Sequence, residues 1–269
     1  MDSHSPQPVD RYRNWLDLPL DVTSLILQRL DIIEILTSAQ MVCLHWRNVC
    51  KDPCMWRTFN LGYFFDSWGV DLSCSQLEGI ELGTFCDDSL LKYITEHSGK
   101  LRYVKLATNW CFRISDKGWS EAAANIPLFE ELELTHDCPL SIVKFLVAVG
   151  RSCPLLKSLK LKSEVNWESN EYCNLSAFAI AENMPGLVSL VLDGNRLTDD
   201  AVQAILEGCP RLRSLEIRHC LHVTIKGNFG RRCSERIKDL WFHYFSHQEL
   251  EGMVEDCKFL CDEGYSYLY

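Results

Sequence analysis

The sequence predicts an α/β chain in two parts: an N-terminal three-helix unit, then a solenoid with parallel strands inside and helices outside. Three observations carry this. An L-x-x-L-x-L template, with conservative swaps, recurs seven times between Leu77 and Phe242. Its last positions are Leu82, Leu106, Leu134, Leu161, Leu192, Ile217 and Phe242, at steps of 24, 28, 27, 31, 25 and 25 residues. A period in the twenties with one short strand per unit marks a stacked array, in which each unit buries its strand and helix against its neighbours. Helical patterns lie between the templates. Residues 198–208 open on Thr198, place Asp199 and Asp200 in the first turn, and set Val202, Ile205 and Leu206 on one face. Ahead of the array, residues 14–57 carry apolar stripes at helical spacing, punctuated by Pro19 and Pro53.

Residues 1–13 are polar, with Pro6 and Pro8. They match neither a secretory signal nor a transit peptide and read as a disordered tail. In residues 14–57, Pro19 suits a first helical position, where a missing N–H costs nothing. Val22, Ile26 and Leu30 then recur every four residues on one helical face, with Leu25 and Leu27 beside it. Ile32, Ile33, Ile35 and Leu36 fit a second short helix, and Val42, Trp46 and Val49 a third. Asp52-Pro53 ends the third, because proline cannot continue it and restricts the residue before it. Trp56 follows at once. A unit below roughly 50 residues is marginal alone. Three helices this short cannot bury so many apolar side chains, and the surplus implies a partner.

Residues 58–76 form a connector. Phe59, Tyr63, Phe64, Phe65 and Trp68 make it too aromatic for a flexible linker, so it is expected to pack. The repeat domain spans 77–269. Ser115 and Asn174 are placed to cap two of its helices, and residues 140–149 form an apolar helix. Ile126, Cys153, Met184 and Cys209 share one repeat position, each before a proline. Cysteine alternating with Ile and Met means a compact apolar side chain, not a nucleophile or metal ligand. Gly227 and Gly230 make 224–232 a poor helix, so an irregular unit is expected there. Ser246 and Glu249 form a capping box ahead of Leu250, Met253, Val254 and Cys257, a helix suited to closing the array.

Composition narrows the function. The chain has 269 residues, 47% of them hydrophobic, and a net charge of −10. That balance argues against a nucleic-acid binder, which shows a basic surface. No apolar run approaches a membrane span. The 14 cysteines lack a signal peptide, which points to reducing surroundings and free thiols. The pairs Cys50/Cys54 and Cys257/Cys261 have no matching second pair with structural-zinc spacing, so neither metal nor cofactor is expected.

Leu18-Pro19, Leu30, Val42-Cys43, Trp46-Arg47 and Asp52-Pro53 with Trp56 stand in the order of the F-box pattern. Asp21 replaces the family's frequent Glu. The wording of residues 14–22 and 49–56 is most similar to plant F-box/leucine-rich-repeat proteins, and the repeats resemble the cysteine-containing subclass often attached to F-boxes. The resemblance implies that residues 14–57 bind an SKP1-type adaptor through Leu18, Pro19, Leu30, Val42, Cys43 and Trp46. Through it they would join a cullin in an SCF ubiquitin ligase, inside the cell, in nucleus or cytoplasm. The repeats would then hold a protein substrate. On that reading the chain is a non-catalytic adaptor. The alternatives are an SKP1-binding scaffold outside a ligase and a cysteine hydrolase; the latter needs a Cys–His pair with an orienting group, and no such motif is present.

Strand residues alternating with the core leucines line the inner face of such a solenoid. Lys160, Lys162, Arg218 and Trp241 are substrate candidates there, among mixed charges. Trp110, Phe112, Trp167 and Tyr172, in two loops after strands, are the aromatic candidates, since such rings are common interface anchors.

Overall fold

The computed structural model describes residues 15–62, 68–83, 86–108, 114–136, 139–163, 173–194, 197–220, 222–223 and 227–243. A 3-10 turn at Trp15–Asp17 leads into α1 (Leu20–Leu27). A π-helical stretch, Glu34–Ala39, passes into α2 (Gln40–Val42), followed by α3 (Leu44–Cys50) and a 3-10 turn at Pro53–Trp56. Strands and helices then alternate: β1 (Thr58–Gly62), α4 (Trp68–Leu72), β2 (Gly79–Leu82), α5 (Asp88–His97), β3 (Tyr103–Thr108), α6 (Asp116–Ala123), β4 (Glu131–His136) and α7 (Pro139–Ser152). The series continues with β5 (Ser158–Ser163), α8 (Cys173–Asn183), β6 (Ser189–Asp193), α9 (Asp199–Gly208), β7 (Ser214–Arg218), α10 (Gly227–Arg236) and β8 (Asp239–His243).

Among the described residues, eight parallel strands stand side by side in chain order, and each pairs with the next. The seven templates are β2 to β8. The eighth strand, β1, lies in the connector and continues the template in disguise. Arg57 occupies the place of Glu78: the Arg57 carbonyl accepts the Glu78 and Gly79 N–H groups at 2.7 and 3.0 Å, as the Glu78 carbonyl accepts those of Arg102 and Tyr103. Trp56, Phe59 and Leu61 therefore stand for the three leucines, and aromatic residues in two of the slots hid them. Leu61 lies at a register shift between Asn60 and Gly62.

The core is one continuous layer. Ile80, Val104, Leu132, Leu159, Leu190 and Leu215 form one inward row and are all buried. Helical residues such as Leu91, Trp119, Phe145, Ile180 and Ile205 cover them from the other side. Ile126, Cys153, Met184 and Cys209 are buried at the helix–strand corners, as their apolar alternation requires. Gly208 is needed where α9 meets α8: a Cβ there would stand 2.1 Å from the Ala181 carbonyl oxygen.

Neighbouring units are also tied by side chains. Ser115 caps α6, accepting from the Gly118 N–H at 2.9 Å, while its own hydroxyl donates to Asp88 at 2.6 Å. Asn174 does not cap α8 from outside. It lies in the first turn and bonds Thr198, the N-cap of α9, through both its amide groups at 3.0 and 3.2 Å. The irregular unit expected at 224–232 is instead helical from Gly227. Phe229, Cys233 and Ile237 recur every four residues and pack on the core, and Arg236 donates to the Cys209 carbonyl at 3.2 Å. Tertiary packing outweighs the glycine penalty of about 1 kcal/mol each. Residues 1–13, the rings Tyr63, Phe64 and Phe65, and the closing helix at 246–257 lie outside the described residues.

The helical head has a core of its own: Leu27, Ile35, Ala39, Val49, Cys50, Met55 and Trp56. Trp56 belongs to this cluster and to the first strand slot, and its indole N–H donates to the Cys50 carbonyl at 2.9 Å. Removing so large a buried ring typically costs about 3–5 kcal/mol. Trp56→Ala is thus expected to shift the urea midpoint of the whole chain and to loosen the head and first strand together. A substitution that left the midpoint in place would show that the two parts are independent.

Candidate partner-docking surface

Local chemistry sets how the head presents its side chains. Pro19 is the N-cap of α1 rather than its first helical residue, and the Thr23 hydroxyl donates to its carbonyl at 3.1 Å. Asp31 and Glu34 form a reciprocal capping box that starts the second helix: the Glu34 N–H meets Asp31 at 2.8 Å, and the Asp31 N–H meets Glu34 at 3.2 Å. Cys43 is extended, with φ −160° and ψ 170°, and its sulphur accepts from the Trp46 N–H at 3.4 Å. It ends α2 and caps α3. The corner is held by Arg47, whose Nε donates to the Gln40 carbonyl at 3.1 Å. After α3, Asp52 accepts from the Cys54 N–H at 2.9 Å, so the Asp52-Pro53 step stops the helix as its chemistry requires.

These details correct two expectations. The buried side of α1 is Thr23 and Leu27; Val22 and Ile26 are exposed. Of the four-residue stripe, Val22 and Ile26 face outward while Leu30, past the end of α1, packs on the head's core beside Leu27. Val42 does not share a helix with Trp46 and Val49, since Cys43 breaks the chain between them.

The result is an apolar surface left over once the head's core is full. Leu20, Leu25, Met41, Val42 and Leu44 are between 61% and 73% exposed, and Trp15 stands out with them. Thr23 on α1 lies 3.4 Å from the His45 ring, so the exposed leucines of α1 and the α2–α3 corner are neighbours across that contact. Monomeric proteins seldom leave such patches uncovered. Of the six predicted residues, Pro19 and Val42 are exposed here and Leu18 is half-buried. Cys43 is half-buried as a cap. Leu30 and Trp46 are half-buried and pack on the head's own core. Leu20, Leu25, Met41 and Leu44 are exposed apolar residues outside the predicted set, and short-range periodicity does not mark them.

The open face of the sheet is a ladder of ion pairs. Lys105 meets Glu81 at 3.1 Å, and Lys160 meets Glu133 at 3.0 Å. Glu216 receives both Arg218 at 2.7 Å and His243 at 3.1 Å. The Arg218 hydrogen bond holds the Glu216 carboxyl below its usual range. Burial, together with Glu133, Glu81 and Glu131, pushes the Tyr103 phenol up to about 12. His219 takes a left-handed backbone, φ 53°, and its ring meets Asp193 at 2.7 Å. Lys160 and Arg218 are thus already paired, Lys162 stands opposite Asp193 in the register, and Trp241 is an exposed ring on β8, the last strand of the described residues. Trp110, Phe112, Trp167 and Tyr172 lie outside the described residues.

Cys54, Cys74, Cys86, Cys153 and Cys209 carry free thiols. Burial pushes the Cys86 and Cys153 thiols up to about 12 and the Cys209 thiol up to about 11, away from the reactive thiolate form. Among the described residues no helix is long and apolar enough to cross a membrane.

A docking head with uncovered leucines, fused to a parallel-strand solenoid with a polar open face, defines a class of protein built for interaction. Comparison with known proteins agrees. The F-box-like family matches residues 15–62. The chain is 44% identical over 253 residues to F-box/LRR-repeat protein 21 of Arabidopsis thaliana, covering 85% of this chain and 81% of that one. It is 42% identical over 237 residues to the F-box protein SKIP19 of the same plant, covering 84% and 76%. The chain belongs to the plant F-box/leucine-rich-repeat family.

Two outcomes are expected. At about pH 8 a maleimide should label the exposed Cys54 and Cys74 in the native chain, and reach Cys153 and Cys209 only on unfolding; peptide mass mapping reads this directly. Leu25→Ser with Met41→Ser should raise the solubility of the isolated chain and change its thermal midpoint little, because exposed substitutions usually stay within about 0.5 kcal/mol. A large fall in the midpoint would show that these side chains are structural.

Proposed function

We propose that the chain is an F-box adaptor: the head docks on an SKP1-type protein, and the sheet's open face with its adjoining loops holds a protein substrate. Through SKP1 and a cullin the bound substrate would be brought to a ubiquitin-charged enzyme, inside the cell. The observation that carries this is the surplus apolar surface of α1 and the α2–α3 corner, in a chain of this family whose head core is already filled. The contribution to ubiquitin transfer is proximity, which needs no catalytic residue here. The ion pairs of the open face suit selectivity more than affinity, since exposed pairs contribute little each.

Central interface residues typically contribute about 2–4 kcal/mol when truncated, a loss of roughly 30- to 1,000-fold in affinity. Leu18→Ala with Pro19→Ala, and separately Leu25→Ala with Val42→Ala, should therefore remove SKP1 capture while leaving the circular dichroism of the repeats unchanged. Trp46→Ala should weaken capture and also destabilise the head by about 2 kcal/mol, less than for a fully buried ring. Capture that survives both double substitutions would refute the docking assignment. Transfer of ubiquitin to a bound protein in a reconstituted complex separates a ligase adaptor from a scaffold.

A further inference from the structure

We infer that the seam between the helical head and the first strand is a small-molecule site, shaped for an apolar ligand with one amine-type cationic end. A cavity of about 340 Å³ opens there, at the lower end of the roughly 300–1,000 Å³ usual for small-molecule sites. Its walls come from both parts of the chain. Ile32, Ile35 and Met55 belong to the head, Phe59 and Leu61 to β1, and Trp56 to both. Buried Ile35, Met55, Trp56 and Leu61 form its floor, and exposed Gln28, Asp31, Thr58 and Asn60 leave it open to solvent, so a ligand can enter.

Charge selects the ligand. Asp31 is the sole ionised side chain among the lining residues; the other polar liners are neutral. It is exposed, one of its oxygens accepts the Glu34 N–H, and the Glu34 carboxylate accepts the Asp31 N–H, so the capping box holds both carboxylates at this end of the cavity wall. A cation at the mouth gains a charge-assisted hydrogen bond while its apolar body fills the cavity; an anion meets repulsion. Leu30, one of the six residues the resemblance gives to the adaptor, also lines the cavity, whereas the exposed Leu20, Leu25, Met41, Val42 and Leu44 do not.

The test uses the full chain with 4-phenylbutylamine and 4-phenylbutyrate as probes, followed by saturation-transfer NMR and calorimetry. The amine should bind saturably, with a dissociation constant on the order of 0.1–1 mM for a fragment of this size. The acid should bind at least about tenfold more weakly, its charge-assisted bond replaced by repulsion. Asp31→Asn keeps the helix cap, since Asn caps as well as Asp, and should abolish the preference for the amine. Ile32→Trp fills the cavity and should weaken both probes; if that variant unfolds, the Asp31→Asn comparison decides. Absence of saturable amine binding, equal affinity for amine and acid, or a preference that survives Asp31→Asn would overturn the assignment. SKP1 capture, measured alongside, reports on the docking surface independently.

Discussion

The structure depends on one repeated interaction, the carbonyl that, at six successive strand entries, takes two N–H groups from the next unit. Arg57, Glu78, Arg102, Glu130, Lys157 and Val188 each accept a pair, at 2.7 to 3.0 Å. Two donors on one acceptor fix where the next strand begins as well as that it pairs. Because side chains alternate with period two, a slip of one residue would turn every core leucine to solvent. This pin keeps Ile80, Val104, Leu132, Leu159, Leu190 and Leu215 in one inward row across loops of unequal length.

The same constraint reaches back into the head. Since Arg57 is the first carbonyl of the series, Trp56 must fill the first core slot, and the 3-10 turn at Pro53–Trp56 delivers it there. The head is joined to the solenoid by packing, with Ile32 and Phe59 lying against both cores, rather than by a tether. Under the proposed function, that arrangement would hold the docking end and the sheet's open face in a fixed relation. It also leaves a cavity at the seam, where Trp56 and Phe59 meet edge-on at 6.2 Å between ring centres.

Electrostatics differ between the two ends. The head's outward surface is apolar, as desolvation on docking favours. The open face of the sheet is polar and largely self-paired, with the His219–Asp193 and His243–Glu216 contacts toward β7 and β8. Under the proposed function, a substrate there would exchange existing ion pairs for its own, which would make complementarity the criterion for binding.

Much of this was legible in the sequence, for a physical reason: local periodicity and proline or serine chemistry act over a few residues. The templates at Leu77 to Phe242 gave seven strands, the Asp52-Pro53 step a helix end, Ser115 a cap, and the cysteine–isoleucine–methionine alternation a buried corner. The F-box order of Leu18-Pro19 to Trp56 marked the head and its need for a partner. Other features depended on contacts between distant residues, which periodicity does not encode. Whether Leu27 or Ile26 faces inward was decided by α3 across the fold. Cys43 became a cap only because Arg47 holds the corner. Trp56-x-x-Phe59-x-Leu61 became a strand unit because Arg57 offers its carbonyl to β2. The helix at Gly227–Arg236 forms against its propensity because Cys233 and Ile237 are buried by the unit before it. Local sequence set which residues could form each element; packing between units decided which face each one turned to its neighbours.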